Sequence, residues 1–340
     1  MKIQENIPLA QYTTFKIGGP AKFFCAVSDE NELVQAVKYA KAGKIPMFIL
    51  GGGSNLLISD KGYDGLVIKI ELAGVSFSGD KVTAAAGESW DRLVEETVKR
   101  GLYGLENLSA IPGTVGATAV QNIGAYGADI SRTIEFVRAL DTKKLEFRDI
   151  SNAECKFGYR DSLFKQQRGR YIISTVTFQL ENQGNVDISY KDLVEYFSSQ
   201  DKKVSPDSTP TLAEVRQAVV KIRSGKLPDW RLWGTAGSFF KNPIVRTEIF
   251  TEFKKKYPAM PGFPEGDGLV KIPLGWILDK VCNIKGMEFG NAKVFENQAL
   301  VIVAKPGATA EEVLVLTSRI RDLVWKKTGL EIEAEVEWVN

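Results

Sequence analysis

The chain has 340 residues, of which 44% are hydrophobic and 25% are charged, a globular composition long enough for two or three domains. The net charge of +2 argues against a large nucleic-acid surface, and no apolar run is long enough to span a bilayer. The chain contains no histidine, which excludes a Ser-His-Asp triad, an HExxH zinc site and any histidine general base.

The three cysteines are predicted to be small buried hydrophobes. Cys25, Cys155 and Cys282 are odd in number and far apart, a pattern that disfavours a disulfide framework or a structural zinc site. We expect no metal, because the commonest transition-metal ligand is missing. The N-terminal residues lack the apolar region of a secretory signal, and a reducing cytoplasm fits the cysteine usage.

Residues 28–50 predict a helix followed by the strand "IPMFIL". Asp29 and Glu32 suit a helix N-terminus, Gly43 suits its end, and the apolar face of the helix comprises Leu33, Ala36, Val37 and Ala40. "GGGSN", Gly51 to Asn55, comes next and exposes consecutive backbone N–H groups that suit a pyrophosphate. It is neither GxGxxG nor a P-loop, and a tight loop without a ligand is the alternative.

Beyond a strand at "GLVIKI", residues 75–87 predict a hairpin around Ser78–Gly79–Asp80. Residues 89–100 predict an amphipathic helix with Trp90, Leu93, Val94 and Val98 inward. The stretch Leu108 to Ile130 has no period of either kind, which is typical of a functional loop. Its small residues would admit a flat aromatic ring, with Gln121 and Asn122 as hydrogen-bond partners. Tight backbone packing is the alternative reading.

Residues 133–182 alternate as strands with a polar interruption. Thr211 and Glu214 predict a capping box for a helix that ends near Arg223, and "SGKLPDW" then predicts the start of a last domain. Thr309 and Glu312 predict another capped helix. The overall pattern is α+β, without a regular βαβ alternation.

Three further features are ambiguous from sequence alone. Arg160 offers a planar fork for a carboxylate or phosphate, although an arginine beside Asp161 also suits a surface ion pair. Glutamates alternate along a predicted final strand and would share one face; a solvated edge is the default, and one buried member would be different. Ser238 in "GTAGSFFKNP" suits a turn hydroxyl bonded to backbone. The alternating glutamates are Glu331, Glu333, Glu335 and Glu337.

Seven stretches, in order along nearly the whole chain, resemble the signatures of one family, the UDP-N-acetylenolpyruvoylglucosamine reductases, also called UDP-N-acetylmuramate dehydrogenases. They are "TTFKIGGPA", "GGGSNLLISD", "GLENLSAIPGTVGATAVQNIGAYG", "FGYRDSLFK", "GTAGSFFKNP", "KGMEFGNAKVFENQAL" and "IEAEV".

The resemblance implies an α+β fold with a vanillyl-alcohol-oxidase-type FAD-binding domain in two subdomains, residues 1–70 and 71–227, and a C-terminal substrate-binding domain, residues 228–340. It implies FAD as cofactor and NADPH as hydride donor. The implied cofactor-binding residues are Gly51, Gly52, Gly53, Ser54, Asn55, Ile111, Pro112, Gly113, Gly116, Ala117, Asn122, Ile123, Gly124 and Arg223.

On the substrate side, the resemblance implies Ser238 as general acid, with Arg160 and Glu335 stabilising an enol intermediate. Tyr190, in an insertion found in one subtype, is implied to close over the UDP. The further implied substrate contacts are Tyr159, Lys226, Asn242 and Gln298. The last motif departs from the family's pattern, since "IEAEV" lacks a proline between its glutamates, which leaves Glu333 as an alternative to Glu335.

The implied reaction reduces an enolpyruvyl UDP-sugar to UDP-N-acetylmuramic acid for peptidoglycan. We expect a cytoplasmic monomer that binds the UDP-sugar and NADPH, without nucleic acid or membrane insertion. Two alternatives remain: an oxidase of the same flavoprotein fold, which would consume oxygen without NADPH, and a nucleotide-sugar sensor, which would hold no flavin.

Overall fold

The structure is a computed structural model that describes residues 1–199 and 209–340. Its strands are β1 (Gln4–Pro8), β2 (Pro20–Val27), β3 (Met47–Leu50), β4 (Leu56–Ile58), β5 (Tyr63–Ile70), β6 (Val75–Ser78), β7 (Lys81–Ala85), β8 (Gly124–Ala125), β9 (Ala128–Asp129), β10 (Ile134–Asp141), β11 (Glu146–Ser151), β12 (Tyr171–Gln179), β13 (Gly234–Ser238), β14 (Ile244–Arg246), β15 (Phe263–Pro264), β16 (Leu269–Lys271), β17 (Glu288–Phe289), β18 (Ala292–Val294), β19 (Val301–Ala304) and β20 (Glu337–Val339).

The α-helices are α1 (Glu30–Ala42), α2 (Trp90–Lys99), α3 (Val115–Gln121), α4 (Leu163–Gln166), α5 (Lys191–Ser198), α6 (Leu212–Lys226), α7 (Thr247–Lys256), α8 (Leu274–Trp276) and α9 (Ala310–Thr328). A π-helical turn, Ile277–Val281, continues α8. This mixture of helices and mainly antiparallel strands confirms the predicted α+β class.

The chain divides into two compact units, each with its own core. The first comprises Met1–Ile7, Ala21–Gly52 and Asp64–Ser224, and the second comprises Pro8–Pro20, Gly53–Tyr63 and Gly225–Asn340. The three-part division at residues 70 and 227 stays a prediction.

The first unit contains two larger sheets. One has four strands in the order β1-β2-β5-β3, and the other has five antiparallel strands in the order β11-β10-β12-β7-β6. Helix α1 buries the predicted apolar face in the core, and the Asp29 carboxylate accepts from the Glu32 N–H at 2.8 Å. Glu32 itself binds Ser28 rather than Asp29, so half of the predicted capping pair forms.

The predicted hairpin forms from β6 and β7, and the predicted amphipathic helix is α2. Trp90 is fully buried, and its Nε1–H donates to the Leu108 carbonyl at 2.9 Å. Helix α3 lies inside the stretch for which the sequence showed no period. Because its seven residues include glycine and alanines, it is too short and too small-chained to give a helical hydrophobic pattern.

In the second unit, β13-β19-β18-β17 form an antiparallel sheet, β14-β16-β15 form a smaller one, and β20 pairs in parallel with β4.

Thr309 and Glu312 form the predicted capping box of α9. In the first unit, Thr211 and Glu214 form the predicted capping box of α6. The Thr211 N–H donates to the Glu214 carboxylate at 2.9 Å, and the Glu214 N–H donates to the Thr211 hydroxyl at 3.3 Å. Helix α6 ends at Lys226, three residues after the predicted end, because Pro228 is the first residue that stops it.

The predicted final strand is wrong in extent. Only Glu337–Val339 is a strand, and the segment before it makes an isolated bridge between Ala334 and Phe240. The four alternating glutamates therefore do not share one strand face. All three cysteines are buried and free, as predicted, and burial raises the pKa of Cys25 to about 11 and that of Cys155 to about 12.

Within the described ranges, no helix combines the length and apolar character needed to cross a membrane.

Candidate active site

In the first unit, the glycine pair after β3 lies directly against the segment that leads into α3. A Cβ at Gly51 would lie 2.9 Å from the Thr114 hydroxyl and 3.3 Å from the Ala117 methyl group. A Cβ at Gly52 would lie 2.6 Å from the Gly113 Cα. Real Cβ atoms do not approach other atoms that closely, so only glycine lets the two backbones meet here.

Gly53, in the second unit, needs glycine for two reasons. Its φ is +64°, and a Cβ would lie 2.0 Å from the Tyr12 carbonyl oxygen. The Gly53 carbonyl in turn accepts from the Thr14 N–H at 3.0 Å. The turn of the GGGSN motif is therefore fixed by the backbone of residues 12–14.

Gly53→Ala is expected to lower the free energy of unfolding by about 3 kcal/mol or more, because left-handed strain and a backbone clash add. Gly79→Ala is the matched control: Gly79 has a φ of +63° but open space around its Cβ position, so its loss should be about 1–2 kcal/mol. Denaturant unfolding of both variants measures the difference, and equal losses would contradict the proposed clash.

Six buried side-chain polar atoms of the first unit have no hydrogen-bond partner among the described residues. Three of them belong to predicted cofactor-binding residues or to a neighbour of one: Thr114 Oγ1, Asn122 Oδ1 and Arg223 Nε. Thr114 occupies the N-cap position of α3, but its side chain does not cap that helix. Buried polar groups normally have partners, so these atoms indicate that a polar ligand completes this region.

The side chains of Asn122 and Arg160 each donate to a backbone carbonyl in the other's segment. Asn122 ends α3 with a φ of +45°, and its Nδ2 donates to the Gly158 carbonyl at 2.7 Å. The Arg160 guanidinium donates to the Asn122 carbonyl at 3.2 Å and to the Gly124 carbonyl at 2.6 Å. These two bonds hold the Arg160 side chain against the glycine-rich segment and fix the direction of its guanidinium.

Asp91 on α2 connects the loop before α3 to helix α6. Its carboxylate accepts from the Ala110 N–H at 2.6 Å and from Arg216 at 2.7 Å. Burial opposes the charged form of Asp91, but the bonds from Arg216 and Ala110 outweigh it and lower the pKa. Helix α6 also carries Arg223. Burial lowers the pKa of the Arg223 guanidinium, which hydrogen bonds with Tyr126.

Ser238 ends β13, after a β-bulge in the second unit. Thr235 pairs with Val303 and Ser238 pairs with Val301, so β13 has one residue more than β19 between these pairs. The extra residue is accommodated at Gly237, whose φ is +75° and around which a Cβ would meet nothing within 4 Å. A bulge of this kind re-aims the next side chain, and Ser238 is half-buried.

The structure brings Glu335 next to the Ser238 strand. Its N–H donates to the Phe239 carbonyl at 2.8 Å, and its carbonyl accepts from Asn55 Nδ2 at 3.0 Å. Glu335 is half-buried, whereas the Glu333 side chain is 78% exposed and pairs with Lys241 at 3.3 Å. These positions favour Glu335 over Glu333 as the glutamate that can work inside a site.

The predicted UDP-binding residues lie in different environments. Tyr190 occupies the N-cap position of α5 without a side-chain capping bond and is 42% exposed. Lys226 is exposed at the end of α6. Asn242 accepts from the Leu274 N–H at 2.9 Å, and Gln298 accepts from the Leu300 N–H at 3.3 Å. Tyr159 is half-buried beside Arg160, with 5.4 Å between its ring centroid and the guanidinium carbon.

The remaining predicted cofactor-binding residues lie in the GGGSN turn or in and around α3. Ser54 is half-buried after Gly53, and the half-buried residues around α3 are Ile111, Pro112, Ile123 and Gly124. Gly116 packs closely against the residue after β7, since a Cβ there would lie 2.8 Å from the Ala86 methyl group.

Sequence reasoning missed Thr114 and Tyr126. A threonine immediately before a helix predicts an N-cap, so the unpaired Thr114 hydroxyl could be recognised only after the structure showed that it does not cap. Tyr126 has a φ of +50° and packs edge-on against Tyr190, with ring centroids 5.5 Å apart. Its aromatic side chain in a run of glycines and alanines is the only signal in the sequence.

Comparisons with known proteins match this architecture. The family described as "FAD binding domain" matches residues 21–143, and the family described as "UDP-N-acetylenolpyruvoylglucosamine reductase, C-terminal domain" matches residues 229–339. The fold and site thus define a flavoprotein with a vanillyl-alcohol-oxidase-type FAD-binding domain.

Curated relatives extend over the full length. The UDP-N-acetylenolpyruvoylglucosamine reductase of Chromobacterium violaceum is 41% identical over 98% of both chains, and that of Flavobacterium johnsoniae is 40% identical over 99% of both chains. The crystal structure of the reductase from Thermus caldophilus matches with a TM-score of 0.71 and 25% identity over 100% of both chains. The chain belongs to the UDP-N-acetylenolpyruvoylglucosamine reductase family.

Proposed function

We propose that the protein catalyses the NADPH-dependent reduction of UDP-N-acetylenolpyruvoylglucosamine to UDP-N-acetylmuramate, a step in peptidoglycan precursor synthesis. The observation that carries this proposal is the 41% identity to a curated reductase over 98% of both chains. The glycine-rich contacts and the unpartnered polar atoms support it independently, because they suit a large polar cofactor.

The residues present fit FAD. Gly51 and Gly52 leave the backbone bare beside Thr114 and Ala117, and the Thr114 hydroxyl there is buried without a hydrogen-bond partner among the described residues. Bound FAD supplies hydride transfer from NADPH to the carbon–carbon double bond of the enolpyruvyl group. The chain's residues hold that cofactor through the GGGSN turn, the segment 111–124 and Arg223.

On the substrate side, negative charge builds up on the α-carbon and carboxylate of the enolpyruvyl group as the double bond is reduced. Arg160 suits this charge, because a guanidinium fork held in place by two carbonyls needs no reorganisation. Glu335 helps to stabilise the enol. Ser238 donates the proton to the α-carbon, and the small residues around it in β13 let that carbon come close.

The UDP group is held by Tyr190 and Lys226, with Tyr159, Asn242 and Gln298 as further contacts. Tyr190→Phe and Lys226→Ala should each weaken binding of the UDP-sugar, because each removes a hydrogen-bonding or charged contact worth about 1–3 kcal/mol. Calorimetric titration with UDP-N-acetylmuramate measures the dissociation constant. Unchanged constants in both variants would show that the UDP contacts are assigned to the wrong residues.

The visible absorption spectrum of the purified protein tests the proposal. Flavin bands with stoichiometric FAD are expected, and they should bleach on addition of NADPH without air and return on addition of the enolpyruvyl UDP-sugar. Protein that stays colourless after incubation with FAD would contradict the proposal and favour a nucleotide-sugar sensor. Oxygen consumption without NADPH would favour an oxidase.

We further propose that the protein works in the cytoplasm, because both of its proposed substrates are nucleotides of the cell interior, and that it works as a monomer. Sedimentation velocity of the holoenzyme should give a single species near the 37.5 kDa chain mass.

A further inference from the structure

Asn107 is a buried amide that joins two segments of the first unit. Its Nδ2 donates to the Tyr126 carbonyl and to the Asp187 carbonyl, each at 2.8 Å. The residue is 3% exposed, and its Oδ1 is buried without a hydrogen-bond partner in the described part of the chain. One side chain therefore joins the glycine-rich segment to residues 181–190 (the insertion), which end at Tyr190.

The insertion runs beside the segment that contains Asn107. Tyr103 and Glu181 exchange both backbone hydrogen bonds, at 2.9 and 3.2 Å. Six residues further along the insertion, Asp187 receives the bond from Asn107. The Asp187 carboxylate then accepts from the Ser189 N–H at 2.9 Å and from the Ser189 hydroxyl at 2.6 Å, which forms the turn directly before Tyr190.

Both residues whose carbonyls Asn107 binds, Tyr126 and Asp187, belong to the surroundings of Tyr190. The Tyr190 ring packs edge-on against Tyr126, whose carbonyl Asn107 binds. A Cβ added at Gly127 would lie 3.9 Å from the Tyr190 Cβ, so the turn at Tyr126 and the insertion touch. Further along α5, Leu193 is buried in a small core with residues of α6, and its N–H donates to the Tyr190 carbonyl at 2.9 Å. This bond holds the Tyr190 backbone, whereas the Tyr190 residue is 42% exposed and its ring packs on Tyr126.

We propose that Asn107 is a positioning residue that sets the affinity for the UDP-sugar through Tyr190, without touching the substrate. The inference rests on the proposed function, in which Tyr190 contacts the UDP group. Without the two N–H donors, Asp187 is released from Tyr126, and a smaller fraction of molecules holds Tyr190 in place. The apparent dissociation constant rises as that fraction falls.

Asn152 provides a matched control for the loss of stability. Its Nδ2 also donates to two carbonyls of the first unit, Ser131 at 2.6 Å and Ile134 at 2.7 Å. Neither carbonyl belongs to the insertion or to the glycine-rich segment at Tyr126. A variant at Asn152 therefore loses the same kind of two-carbonyl contact without affecting Tyr190.

The test compares the Asn107→Ala and Asn152→Ala holoenzymes. Both should melt at a lower temperature than the unmodified protein. Only Asn107→Ala should raise the dissociation constant of UDP-N-acetylmuramate, by at least about fivefold, while the rate of flavin bleaching by NADPH stays unchanged. An unchanged constant in Asn107→Ala, or an equal rise in both variants, would overturn the inference. If Asn107→Ala yields no holoenzyme, Asn107→Ser, which keeps one donor, gives the same readouts.

A double variant separates this inference from the proposed function. If Asn107 acts through Tyr190, Asn107→Ala combined with Tyr190→Ala should bind UDP-N-acetylmuramate no more weakly than Tyr190→Ala alone. Additive losses would show that Asn107 acts by another route and overturn the inference alone. Normal binding by Tyr190→Ala would instead remove Tyr190 from the UDP site and overturn both.

Discussion

Ser238→Ala is expected to leave flavin bleaching by NADPH intact and to slow the return of flavin absorbance on addition of the enolpyruvyl UDP-sugar by about 10²–10⁴-fold. The reason is that the α-carbon of the substrate needs a proton only in the second half of the reaction. The β-bulge at Gly237 directs Ser238 out of the regular strand alternation, and glycine and alanine precede it. Stopped-flow absorbance without air measures the two half-reactions separately.

Ser318→Ala is the control for that experiment. Ser318 is an exposed serine of α9 in the same unit, so both half-reactions should keep their rates. Equal rates for the Ser238→Ala variant and the unmodified protein would remove Ser238 from the proton transfer.

Arg160→Lys is expected to slow the substrate half-reaction by about 10²–10³-fold, the usual effect of losing one electrostatic contact to the transition state. The charge is kept, but lysine has no planar fork. It cannot bind the Asn122 and Gly124 carbonyls as the guanidinium does, at 3.2 and 2.6 Å, and still face a carboxylate. Flavin bleaching by NADPH should keep its rate if FAD remains bound.

The FAD content of the Arg160→Lys variant must be measured with its rates, because Arg160 also braces the segment after α3. Arg168→Lys is the matched control, since Arg168 is an exposed arginine eight residues along the chain. A substrate half-reaction as fast in Arg160→Lys as in Arg168→Lys would contradict a role for the guanidinium in stabilising the enol.

Local signals predicted much of the fold. The capping boxes at Thr211 and Thr309, the Asp29 cap and the hairpin of β6 and β7 each depend on residues a few positions apart. Such features follow from side-chain and backbone chemistry within one turn of the chain. Helix α3 could not be predicted in this way, because its seven residues show no helical periodicity and its close contact at Gly116 is with Ala86, 30 residues away in the chain.

The candidate site residues stay predictions, and the structure adds their contacts. Motif resemblance named Arg160, Ser238 and Glu335, and the sequence left Glu333 as an alternative to Glu335. In the structure the Glu333 side chain pairs with Lys241 and the Glu335 N–H donates to the Phe239 carbonyl, contacts between residues more than 90 positions apart that no local pattern could predict. The connection through Asn107 was also invisible, since its two bonds span 19 and 80 residues.

Product analysis in heavy water tests the central claim most directly. Purified holoenzyme is incubated with NADPH and UDP-N-acetylenolpyruvoylglucosamine in D₂O, and the product is examined by mass spectrometry and NMR. We expect UDP-N-acetylmuramate with one hydrogen from NADPH on the methyl carbon and one deuterium from solvent on the α-carbon. If flavin-loaded protein leaves NADPH unconsumed, or leaves the enolpyruvyl UDP-sugar unchanged, the proposed reaction is wrong.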